Sequence, residues 1–139
     1  MMIETDVLYA YVKKDDWLKP AANHIISKIV KGELGMVYAS RESLHEIYYV
    51  SKEEGVSMEE LIARTAALTA IENLTFLETT YEIDLLALTI IRQYGINSIF
   101  DAYYAATALN QIPDHTILST DTVFDAIPGI KRIDPRELK

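Results

Sequence analysis

Asp101-Ala102-Tyr103-Tyr104-Ala105-Ala106-Thr107-Ala108-Leu109 reads as a helix of unusually small side chains opened by an acid. Alanine is the best helix former. The small residues at 102, 105, 106 and 108 let such a helix lie close against a sheet. Ser98 three residues before Asp101 completes a Ser-x-x-Asp capping pattern, which starts the helix at about Ser98. A strand is expected next, at Thr116–Ser119, and a short one at Lys131–Ile133. Asp121 comes two residues after the first of these strands.

Upstream, the same alternation recurs. Met1–Thr5 reads as a very short strand, followed at once by a short helix or turn over Asp6–Val12. Ile25, Ile26, Ile29 and Val30 fall at helical spacing within a helix over Ala21–Lys31, which Gly32 and Gly35 end. A second strand is expected at Met36–Ala39. Ser40 then caps a helix that turns Leu44, Ile47 and Tyr48 inward. Ser57 with Glu60 forms a capping box for a helix to about Glu72, and Leu74–Leu77 is a third strand. Thr79 with Glu82 forms another box, opening a helix that Gly95 stops. Strands alternating with helices predict an α/β fold. Its core is a mostly parallel central sheet of four to five strands with helices on both faces. No repeat or linker divides the chain, so residues 1–139 are expected to form one domain.

Composition narrows the function. The chain has 139 residues, half of them hydrophobic, enough for a real core. It has no cysteine, which excludes disulfides, zinc–thiolate sites and cysteine nucleophiles and favours a cytoplasmic setting. No apolar run approaches the roughly 18 residues of a membrane span. Met1–Asp6 lacks the pattern of a secretory signal. The net charge of −8 opposes nucleic-acid binding taken by itself, because phosphate contacts call for Lys and Arg. Two bound divalent cations would halve it.

In open parallel sheets, ligands sit beyond the carboxyl ends of the strands. Acids recur there: Glu4 and Asp6 after the first strand, Glu46 on the helix after the second, Asp101, and Asp121 after the fourth. Each has an ordinary explanation as a cap or a solvated face. Together they form a candidate cluster of oxygen ligands. The three histidines are too scattered to form a motif. Tyr48-Tyr49 and Tyr103-Tyr104 are the aromatic pairs that could stack on bases or sit in the core. Lys13, Lys14 and Arg41 are the cations expected near the strand ends. Asp15-Asp16 superficially suits a phosphoacceptor receiver domain, but follows a helical stretch and lacks the expected late-strand lysine.

Four segments resemble the PIN domain, the fold of ribonuclease toxins of VapC type. They are Ile3-Glu4-Thr5-Asp6-Val7-Leu8, Ser40-Arg41-Glu42-Ser43-Leu44-His45-Glu46, Phe100 through Leu109, and Ile117-Leu118-Ser119-Thr120-Asp121-Thr122-Val123-Phe124. The third is similar to the family's Asp-Ala-x-x-Ala-Ala-x-Ala-Leu helix. Glu46 and Asp101 stand 55 positions apart, and Asp101 and Asp121 stand 20 apart, as suits the family. The family usually reads Asp-Thr-Asn or Asp-Thr-Asp at its first motif, where this chain has Glu4-Thr5-Asp6.

The resemblance implies a PIN-like three-layer sandwich and an endoribonuclease that uses Mg²⁺ or Mn²⁺. Glu4, Asp6, Glu46, Asp101 and Asp121 would be its catalytic and metal-binding residues, with Ser119 or Thr120 orienting a carboxylate or a water. It further implies an RNA substrate, a protein antitoxin and a homodimer. The rival expectation is a non-catalytic RNA- or protein-binding module with a weakened metal site.

Overall fold

The computed structural model describes residues 1–138. Its elements are β1 (Met2–Ile3), α1 (Thr5–Val12), α2 (Lys19–Val30), β2 (Val37–Ser40), α3 (Glu42–Glu53) and α4 (Met58–Thr69). They continue with β3 (Leu74–Leu77), α5 (Tyr81–Tyr94), α6 (Ile99–Gln111), β4 (Thr116–Leu118) and β5 (Lys131–Ile133). Short 3-10 turns cover Thr122–Ala126 and Pro135–Glu137. The five strands form one sheet in the order β3-β2-β1-β4-β5, and every pairing is parallel.

Strand alternation sorts side chains into two cores. Ile3 and Leu118 join Leu8, Ile25, Ile29 and Leu68 on the face covered by α1, α2 and α4. Their neighbours Met2 and Ile117 join Ile83, Ala87, Ala105 and Phe124 on the face covered by α5 and α6. The period of two along each strand thus separates the layers of an α/β sandwich. Among the described residues no helix is long and apolar enough to cross a membrane.

Most helix ends follow local chemistry. Ser57 and Ser98 accept hydrogen bonds from the backbone N–H groups of Glu60 and Asp101, and Gly95 closes α5 at φ +66°. The start of α5 departs from the reading above. Thr80, not Thr79, caps it by accepting from Ile83 N–H. Thr79 instead donates its hydroxyl to Glu42, 3.0 Å away on α3. The first strand is also shorter than expected, because the Glu4 side chain caps α1 and the helix begins at Thr5.

Helix α6 is enclosed on nearly all sides: Ala102, Tyr104, Ala105, Ala106, Thr107 and Ala108 are buried. Ala106 has no exposed surface, so a larger side chain there must push its neighbours aside. Ala106→Leu is therefore expected to destabilise the chain by about 1–3 kcal/mol through overpacking. That lowers the melting temperature by roughly 3–15 °C, which thermal denaturation followed by circular dichroism would register.

The strand order reverses between β1 and β4. The chain steps outward from β1 through β2 to β3, then returns to place β4 and β5 on the other side. Such a switch point opens a crevice at the carboxyl ends of the two central strands. Glu4 ends β1 there, and its N–H donates to the Leu118 carbonyl on β4 at 3.1 Å.

Candidate active site

A cavity of about 440 Å³ opens at this switch point, and Glu4, Asp6, Glu46, Asp101 and Asp121 all line it. Four parts of the fold supply them. Glu4 and Asp6 come from the end of β1 and the start of α1, and Glu46 from α3. Asp101 lies in the first turn of α6, and Asp121 in the loop after β4. No lysine or arginine lines the cavity.

Glu4 is only 5% exposed. Its Oε2 accepts from Asp6 N–H at 3.3 Å and from the Ser119 hydroxyl at 3.1 Å. Burial, with the nearby Asp6 and Glu46 charges adding to it, holds the Glu4 carboxyl well above the usual range. Asp6 is more tightly committed. Its Oδ1 accepts from Val7 N–H at 2.8 Å, and its Oδ2 accepts from Thr120 N–H at 2.8 Å and the Thr120 hydroxyl at 2.6 Å. Asp6 thereby ties α1 to the loop after β4. Ser119, fully buried, accepts from Asp121 N–H at 2.9 Å while donating to Glu4.

Asp101 is half-buried. Its carboxyl is pushed up to about 7, by burial first and then by the charges of Asp121, Glu46 and Asp6. Glu46 is held from behind. Tyr104 donates its hydroxyl to Glu46 Oε1 at 2.9 Å, and Thr5 Oγ1 lies 2.7 Å from that tyrosine oxygen and 3.0 Å from Ser43 Oγ. All three hydroxyl residues are buried. Asp121 is exposed and accepts from Val123 N–H at 2.9 Å, which caps the following 3-10 turn.

Tyr104 was legible only as an aromatic of undecided use. Three residues after Asp101 on α6, it shares that residue's side of the helix. In the folded chain its ring fills the core and cannot stack on a ligand. Tyr104→Phe keeps the ring and removes the hydroxyl that fixes Glu46. A loss of about 1–3 kcal/mol is expected, because the Thr5–Ser43 pair loses its buried partner. The check is a urea titration; an unchanged midpoint would mean the hydroxyl chain is not holding Glu46.

The cations expected near the strand ends, and the histidine beside Glu46, lie elsewhere. Lys13 sits past the end of α1 and pairs with Glu54 at 3.2 Å. His45 faces Glu42 at 3.3 Å. Arg41 lines a separate surface depression with Glu42, His45, Glu78 and Thr79. Lys14 does not line the acidic cavity either.

The donor set is all carboxylate, which is the chemistry Mg²⁺ and Mn²⁺ prefer. The bonds to Glu4 described above go to its Oε2, and its carboxyl also lies against that of Asp6. Among the described residues, however, no three of the acids and histidines are gathered tightly enough to enclose an ion as they stand. Like charges oppose a closer gathering. Two carboxylates about 4 Å apart repel by roughly 4 kcal/mol at an effective dielectric near 20. A cation in the cavity would offset that repulsion.

Comparison with known proteins follows the same lines. The PIN domain family model matches residues 1–130. Among solved structures the chain is similar to Mycobacterium tuberculosis VapC20, described as a sarcin-ricin loop cleaving toxin. The identity is 15%, the TM-score 0.73, and the match covers 90% of this chain and 92% of that one. It is also similar to a toxin-antitoxin complex from Klebsiella pneumoniae (17% identity, TM-score 0.65, 99% and 98% covered). A third is VapBC2 from Rickettsia felis bound to a DNA fragment from its promoter (13%, 0.64, 95% and 96%). At these identities the likeness shows the fold. No curated protein matches the chain in sequence.

Proposed function

Because the chain belongs to the PIN domain family, we propose that it is a metal-dependent endoribonuclease acting in the cytoplasm as the toxin of a toxin–antitoxin pair. The observation that carries this reading is the single cavity at the strand switch point with five carboxylates around it. A divalent cation bound there supplies charge neutralisation at the scissile phosphodiester and lowers the pKa of an attacking water.

The residues take distinct parts. Glu4 and Asp101 would hold the principal ion: both line the cavity, Glu4 from the end of β1 and Asp101 from the first turn of α6. Glu46 is oriented by Tyr104 and would act directly or through water, as would Asp121. Asp6, with both oxygens bonded to Val7 and Thr120, is the brace that holds the β4 loop against α1. This division assigns Glu4 the role that aspartate usually plays in the family.

Toxin–antitoxin complexes among the structural neighbours support a protein antitoxin as partner. An exposed apolar stripe on α5 (Tyr81, Leu85 and Leu88) supports self-association as a homodimer. The test of the function is cleavage of a mixed panel of structured and single-stranded RNAs in Mn²⁺, Mg²⁺ or EDTA. Cutting that requires the metal is the expected result. Failure to cut any RNA in either metal would reduce the chain to a binding module.

A further inference from the structure

A second cavity, about 460 Å³, is built on the same pair of helices as the acidic one, and aromatic side chains wall it. Helix α3 gives Glu46 to the acidic cavity and Tyr49, three residues on, to its neighbour. Helix α6 gives Asp101 to the first, and Phe100 and Tyr103 to the second. The Tyr49 and Phe100 ring centroids lie 6.1 Å apart, and Tyr48 meets Tyr49 edge-on at 5.3 Å. Tyr49 is 57% exposed, so its ring presents unused face to water. Glu42 and His45 also line the cleft, but they face each other at 3.3 Å and Glu42 accepts from Thr79 as well, so the aromatic rings are its free surface.

We propose that this cleft is a nucleobase-stacking subsite that holds single-stranded RNA next to the acidic cavity. The inference rests on the nuclease reading only for the identity of the strand. Two observations and one principle lead to it. Tyr49 lies three residues beyond Glu46 on α3, and Phe100 immediately precedes Asp101 on α6, so a strand with a phosphate between Glu46 and Asp101 passes within about one helical turn of Tyr49. Neither cavity is lined by lysine or arginine, so phosphate neutralisation by the protein cannot supply the grip. Stacking on aromatic rings can, because every base has a π-face and none of that affinity needs positive charge. The net charge of −8 is then compatible with an RNA substrate.

The test is fluorescence anisotropy of the intact chain with labelled ten-nucleotide strands: oligo-adenylate, oligo-uridylate and an abasic strand of equal length. Each is measured in EDTA and again in Ca²⁺. Oligo-adenylate should bind more tightly than oligo-uridylate, and both more tightly than the abasic strand. Tyr49→Ala should weaken oligo-adenylate roughly 5- to 100-fold, as losing one stacked base implies, and leave abasic binding unchanged. Tyr49→Phe should restore wild-type affinity. Because Tyr49 is exposed, melting of the alanine variant should match the parent. Binding that ignores the bases, or is absent in both buffers, or survives Tyr49→Ala, overturns the subsite. So does a variant whose only change is a lower mass by light scattering, which would assign the cleft to a second copy of the chain. A chain that cuts RNA in Mn²⁺ yet binds without regard to bases loses the subsite and keeps the nuclease; base-dependent binding through Tyr49 without cutting does the reverse.

Discussion

An Asp101→Asn chain is expected to lose metal-dependent RNA cleavage at least ~100-fold while melting higher than the parent in EDTA at pH 8. Outer partners of a metal site typically carry 10- to 100-fold of metal affinity or activity. A residue proposed to hold the ion itself stands above that range. The second half of the result has a separate cause. At pH 8 Asp101 is ionised despite half-burial and despite Asp121, Glu46 and Asp6, the groups that raise its carboxyl to about 7. Asparagine has nearly the same shape and no charge, so it removes that repulsion and keeps the Ser98 cap, which uses only the backbone N–H at 101. A variant that simply misfolds would lose activity and stability together. Opposite movements of the two are the signature of a site kept strained for function. Cleavage that survives the change would remove Asp101 from the reaction. A lower melting temperature would show that its charge is satisfied in the empty protein.

The features legible in the sequence are those set by local chemistry. The Asp101 helix, its serine cap, the glycine stop at Gly95 and the strands Leu74–Leu77 and Lys131–Ile133 all depend on residues within one turn of each other. That the five acids would line one cavity was legible because a parallel sheet brings every strand's carboxyl end to one edge, so order along the chain predicts neighbourhood in space. What local reading missed depends on distant partners. Thr79 and Thr80 are equivalent as caps until Glu42, 37 positions away, claims the hydroxyl of the first. Tyr103 and Tyr104 are alike until the helix is docked, when one reaches Glu46 from the core and the other borders the aromatic cleft. Lys13 appears close to the strand ends in sequence, but two turns of α1 carry it to Glu54. The cleft has no local signature, since Tyr49 and Phe100 come from different helices.

Metal and protons should compete for the site, which gives the second large effect. In EDTA the melting temperature is expected to fall as pH rises from 5 to 8. The sign follows from the folded carboxyls. Glu4 lies well above its ordinary value and Asp101 is at about 7, whereas both titrate near 4 when unfolded. Between these values the folded chain holds more protons than the unfolded one, so stability declines with pH. The favourable contribution is complete below about pH 4 and disappears as pH passes through the folded values. A cation bound only to the folded state reverses this. At a hundred times its dissociation constant it adds about 2.7 kcal/mol. For a chain of this length that is a rise on the order of 10 °C. The rise should be large at pH 8 and small at pH 5.5, where the ion must displace protons before it binds. Differential scanning calorimetry with and without millimolar Mn²⁺ at the two pH values would show it. In the Asp101→Asn chain the Mn²⁺ shift should shrink at pH 8, and the EDTA curve should flatten between pH 5 and 8. If Mn²⁺ raised the melting temperature equally at both pH values, the ion would be binding away from these carboxyls. With no rise at either, the cavity would not be a metal site, and a cation-dependent nuclease could not be built on it.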